Sequence, residues 1–206
     1  MRIHGHPHSY DAREQDIRPI IKLSLALNFL FFLAGLTTAL IFGSIALLGD
    51  SFHNLSHVLV LIFSLAGLTV IKQHKNLIPI GNSIFLMGVA GWLIYEGISR
   101  LFMPPQEILG LPLVIVASLD TGSDAFIALL MRKHRKNLAA LSLLFHFLFD
   151  GLISLSVILG GIFIMLWGWY YVDAYAAILI GATAIISSLF VIWKAFGQLR
   201  KDNRQI

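Results

Sequence analysis

Six apolar runs, each long enough to cross a bilayer, constrain this chain more than any other feature. They fall at about residues 20–42, 44–71, 77–101, 110–131, 138–166 and 172–194. A hydrocarbon core of about 30 Å needs about 20 residues of helix, and only helices or closed barrels satisfy their backbone inside it. All six runs reach about that length. They predict an all-α membrane protein of six transmembrane helices, with a hydrophobic content of 57% against 13% charged residues. The first run follows mostly polar residues with no small-residue cleavage site, so it reads as a retained span.

The charges fix an expected orientation. Fourteen of the fifteen Lys and Arg residues lie in the N-terminus, the second and fourth loops and the C-terminus, and Arg100 alone lies near the other side. The positive-inside rule then puts both termini in the cytoplasm. The formal charge of +4 reports this topology and no nucleic-acid partner. Three domains follow: a cytoplasmic histidine-containing tail at 1–19, the six-span body at 20–194, and a short basic tail at 195–206. With no cysteine in the chain, disulfides and thiolate ligation are excluded.

Against this apolar background two polar signatures stand out, His53-Asn54-Leu55-Ser56-His57 and His146-Phe147-Leu148-Phe149-Asp150. Each places two metal-ligating side chains at i and i+4, on one face of one helix. His53 lies nine residues into the second run and His146 eight residues after Leu138. At the helical rise that is about 13 and 12 Å, near the middle of the bilayer. Ionisable groups at that depth are costly and mark ion or proton pathways. Three spans per half is an odd number, so the halves have opposite orientation and the signatures fall on the middle span of each. Inverted-repeat transporters build midplane sites this way. Three imidazoles and a carboxylate suit Zn2+, Co2+ or Ni2+, and suit Mn2+, Mg2+ and Ca2+ poorly.

Asp50 shares the stripe of His53 and His57 and reads as a partner orienting an imidazole, an alternative ligand, or a helix-capping or packing residue near Gly49. Ser51, Asn54 and Ser154 read as hydrogen bonders between helices. Asp120 and Asp124 form another i,i+4 pair at midplane depth, expected to face the bundle, toward Asn28 or Thr37 and Thr38. They read as a proton-coupling group or cation way-station, or else as an interhelical anchor. His4, His6 and His8 alternate in the N-terminus and form a candidate cytosolic metal-capture tract, or a solvated tail. Glu96 and Arg100 read as a local i,i+4 ion pair. Trp92, Tyr95, Trp167, Trp169, Tyr170 and Tyr171 fall near expected outer ends, as interfacial aromatics do.

The stretch from Gly43 through Asp50 to His53 resembles the second-span signature of the cation diffusion facilitator family. His146-x-x-x-Asp150, with Gly151 and Ser154 after it, resembles the fifth-span signature. Trp92-x-x-Tyr95-Glu96-x-x-x-Arg100-Leu101-x-x-Pro104-Pro105 resembles the end of the third span, and Val172-Asp173-Ala174 through Ala177 the start of the sixth.

The resemblance implies a homodimeric, proton-coupled exporter of divalent cations that binds its metal at His53, His57, His146 and Asp150. The metal is its substrate, and no cofactor is implied. It also implies two departures: members often carry Asp at the position of His57, and most carry a cytoplasmic metal-binding domain after span six. A short form is therefore expected. Uncharged polar residues are usual where Asp120 and Asp124 stand. The expected setting is a prokaryotic plasma membrane, and the expected role is transport rather than catalysis. Three rivals stay open: a non-transporting metal-binding or scaffold subunit, a haem-binding electron-transfer protein, and a di-iron oxidoreductase. The last needs further HxxHH clusters, which this sequence lacks.

Overall fold

The computed structural model describes residues 18–67, 77–132 and 138–202, with side chains for 19–63, 79–132, 150, 151 and 153–197. Six helices follow one another: α1 (Arg18–Phe42), α2 (Ile45–Gly67), α3 (Leu77–Leu101), α4 (Gly110–Arg132), α5 (Leu138–Trp167) and α6 (Tyr171–Asp202). Each coincides with one apolar run, and the described residues contain no strand. Five helical stretches are long and apolar enough to cross a membrane, and α5 adds the apolar stretch Ile153–Trp167. The chain is a multi-pass integral membrane protein. The sixth helix outruns its apolar segment and continues to Asp202. Hydropathy stops where the membrane stops, whereas backbone hydrogen bonding propagates through Lys194 and the residues beyond it.

Gly43 makes the first reversal possible. Its φ of 74° is open to glycine, and its N–H closes α1 by donating to Ala39 O at 2.8 Å. Ser44 then caps α2, accepting from Leu47 N–H at 3.0 Å through its Oγ. The cap is completed from a distant helix. The Asp173 carboxylate, at the start of α6, accepts from Ser44 Oγ at 2.5 Å and Ile45 N–H at 2.8 Å. Arg100 of α3 donates to the Gly43 carbonyl at 2.6 Å and to Glu96 at 3.1 Å. The Glu96–Arg100 pair is thus local as expected, yet it also ties α3 to the α1–α2 turn.

The helices pair mainly as α1 on α2, α4 on α5 and α3 on α6. Exchanging helices 1–3 for 4–6 maps these pairings onto one another, the relation expected of two inverted halves. One pairing breaks the exchange: α2 packs on α6, and no comparable α5–α3 packing occurs among the described residues. Glycines set the closest approaches. A Cβ at Gly181 would lie 2.9 Å from the Ala90 carbonyl, and one at Gly161 would lie 3.0 Å from the Gly110 carbonyl. Small residues at such crossings let helix backbones touch inside a membrane.

α2 is the central helix. Of its apolar window 61% is buried, against 17% for α1 and α3. One apolar cluster, including Ile45, Leu47, Leu93, Leu113, Val157 and Ile180, fills the bundle at the α1–α2 turn. A smaller one, Ile127, Ala128 and Met131 packed by Ile20, Ile21 and Leu27, lies toward the start of α1. Between them is a polar layer.

Candidate metal centre

The polar layer is built from the buried faces of α2, α4 and α5. His53 and His57 are one turn apart on α2, with ring centroids 4.4 Å apart and planes at 84°. Asp150 enters from α5 between them. His53 Nε2 lies 3.0 Å from Asp150 Oδ1 and His57 Nε2 lies 3.2 Å from Oδ2. One carboxylate therefore serves both imidazoles, one oxygen each. His57 and Asp150 are 6% and 5% exposed, so water competes little for these contacts.

One ligand atom from each of His53, His57 and Asp150 lies within 4.8 Å of the others. Ligands of a tetrahedral Zn2+ with bonds near 2.0–2.1 Å stand about 3.3 Å from one another. The two nitrogen–oxygen separations approach that edge, and the widest separation within the trio, up to 4.8 Å, has to close for all three to hold one cation. With Nε2 protonated, His53 donates to Asp150 Oδ1 and His57 faces Oδ2 as an ion pair; with the protons removed, the same nitrogens can ligate a metal.

His146 lies on α5 one turn before Asp150, and its side chain falls outside the described residues. Its backbone position puts it on the helix face of Asp150. His4, His6 and His8 lie outside the described residues altogether.

The remaining acidic residues take distinct partners. Asp50 accepts from Ser154 Oγ at 3.0 Å, a buried bond that joins α2 to α5. Asp120 Oδ2 accepts from Asn54 Nδ2 at 2.6 Å and joins α4 to α2. Asn54 and Ser154 are thus the interhelical hydrogen bonders expected, whereas Ser51 Oγ donates within its own helix, to Leu47 O at 2.7 Å. Asp120 and Asp124 are both 3% exposed and face the bundle. Thr37 instead turns outward and donates to Leu33 O of its own helix.

Sequence reasoning missed the clasp at the α1–α2 turn. The glycine and the capping serine at Gly43-Ser44 are local signals of a helix start. The carboxylate that completes the cap comes from a residue 129 positions away, and no local pattern announces it.

The helices and the buried nitrogen–oxygen cluster define a polytopic membrane protein with donor atoms at the heart of its bundle that could hold a metal ion. Comparison with known proteins names the family. Residues 21–199 match the cation efflux transmembrane domain, and the chain belongs to the cation efflux family. It is 30% identical over 190 residues to the metal cation efflux system protein CzcD of Cupriavidus metallidurans, covering 86% of this chain and 60% of that protein. To the cation efflux system protein CzcD of an Alcaligenes species it is 29% identical over 201 residues, covering 91% and 63%. To the zinc transporter ZitB of Pectobacterium atrosepticum it is 25% identical over 209 residues, covering 95% and 64%. The chain spans about three-fifths of the length of these relatives.

Proposed function

We propose that this protein exports divalent transition-metal cations, Zn2+ foremost and Co2+ or Ni2+ alongside it, in exchange for protons. The ligands would be His53, His57, His146 and Asp150, with the cation as substrate. One observation carries the reading: two imidazole Nε2 atoms stand 3.0 and 3.2 Å from the two oxygens of one buried carboxylate. Those atoms hold either protons or a metal ion. Metal needs deprotonated ligands, so acid on the receiving side favours release and neutral pH on the supplying side favours binding. An unperturbed imidazole titrates at about 6.5, where cellular compartments differ.

In this proposal the cation enters from the cytoplasm, the side of both termini and the basic loops. Rocking of one part of the bundle against the rest then opens the site outward. The six-span body is the transport domain, flanked by the tail at 1–19, whose histidines collect metal, and by the basic segment at 195–206. A prokaryotic plasma membrane and a homodimer complete the reading. The relatives' names support metal efflux, and the three-His, one-Asp donor set supports a borderline cation.

Calorimetric titration of Zn2+ into purified protein, repeated in buffers of different ionisation enthalpy, tests the proton–metal exchange. Protons released on binding, and fewer of them when His53→Ala removes one imidazole, are expected. Zn2+ binding with no proton release between pH 6 and 7 would overturn the exchange.

A further inference from the structure

A second set of buried donors lies beside the imidazole cluster, on the side where α1 begins and α4 ends. The inward stripe of α1 carries Ser24 and Asn28, 1% and 3% exposed. Asn28 Nδ2 donates to Ser24 O at 2.9 Å and to Ser24 Oγ at 3.3 Å. Its Oδ1 is buried and accepts nothing among the described residues. The inward stripe of α4 carries Asp120 and Asp124, each 3% exposed.

Packing brings the stripes level. Leu27 packs on the cluster of Ile127, Ala128 and Met131, so Asn28 and Asp124 are the next inward residues on antiparallel neighbours. Counting by helical rise gives the same answer. Asn28 is ten residues from the first residue of α1 and Asp124 eight from the last of α4, about 15 and 12 Å from the same end of the bundle. Asp120 and Asp124 at i,i+4 stand about 6 Å apart on one face. Among the described residues no Lys or Arg is buried to neutralise them. Asn54 supplies a single N–H, to Asp120.

Two buried carboxylates and a buried amide oxygen without a donor call for a positive charge between them. We propose that Asp120, Asp124 and Asn28 Oδ1 form a second cation station, distinct from the imidazole cluster. Its donors are all oxygen, and oxygen donors take hard divalent cations of the Mn2+ and Mg2+ class rather than borderline ones. Asn54 joins the two stations: its side chain holds Asp120, while its backbone carries the neighbouring His53. The station stands whichever ion the imidazole cluster carries.

Mn2+ is the probe, because its paramagnetism reports both occupancy and ligand type. In full-length protein carrying His53→Ala and His57→Ala, one Mn2+ equivalent is expected to remain, with no histidine-nitrogen modulation in its pulsed spectrum. Adding Asp124→Asn should weaken that binding at least about tenfold, and Asp124→Glu should retain it. Melting temperatures verify that each variant is folded. In the chain with both imidazoles intact, Asn28→Asp adds a carboxylate and should tighten Mn2+ binding. No Mn2+ bound in the folded double variant would overturn the station, leaving Asn28 Oδ1 to a protonated Asp124. Nitrogen coupling, or affinity unchanged by Asp124→Asn, would overturn it equally.

Discussion

Asp150 sits where the chemistry of the site is decided, because its two oxygens face two different imidazoles. Asp150→Asn keeps the shape and removes the charge. It should weaken Zn2+ binding beyond the about 10–100-fold typical of losing a mere outer partner of a ligand. Calorimetry on the folded variant checks this. His57 is the more revealing position, since relatives of the family often place an oxygen ligand there. His57→Asp should shift preference from Ni2+ and Co2+ toward Mn2+, read by competition binding, because oxygen donors favour the harder ion. That His53, His57 and Asp150 stand out in the sequence has a physical reason: ionisable residues near the middle of an apolar run are costly, unlike a pair near its end such as Glu96 and Arg100. The separate partners of Asp50 and Asp120 were not legible. Which carboxylate meets Ser154 and which meets Asn54 depends on helix rotation, and spacing along one helix does not fix that.

At the scale of elements, the apolar runs predicted every helix because a membrane makes the period of the pattern irrelevant and its length decisive. Where length did not decide, the sequence was silent. The clasp of Asp173 on the α2 N-terminus joins residues far apart along the chain, and only packing reveals it. Asp173→Ala leaves a buried hydroxyl and a helix N–H without their acceptor. It should cost about 2–4 kcal/mol, seen as a lower unfolding temperature in detergent. The α4–α5 crossing carries a similar expectation. A side chain at Gly161 meets Val114 at 2.7 Å and the Gly110 carbonyl at 3.0 Å, so Gly161→Val should force the two helices apart and lower stability. Since Asp150 rides on α5, metal affinity should fall with it.

The whole molecule is layered along its axis: an apolar core at the α1–α2 turn, a polar layer of histidines and carboxylates, and a smaller apolar cluster toward the start of α1. In the proposed export a cation reaching the polar layer would cross an apolar boundary on either side, the arrangement alternating access requires. Orientation was read from charge alone, and the cysteine-free sequence makes it testable. A single cysteine at Gln106, in the exposed α3–α4 link, should react with an impermeant maleimide in intact cells. One at Arg204 should react after lysis alone, and the reverse pattern would invert the proposed direction. The central claim is coupled transport through the His53–His57–Asp150 cluster. Its most direct measurement is Zn2+ uptake into proteoliposomes with an internal indicator, with and without an acidic lumen, for wild type and Asp150→Asn. Uptake that accelerates with the proton gradient and disappears in the variant is predicted. A folded, zinc-binding wild type that moves no Zn2+, or a variant that transports as well as wild type, would contradict it.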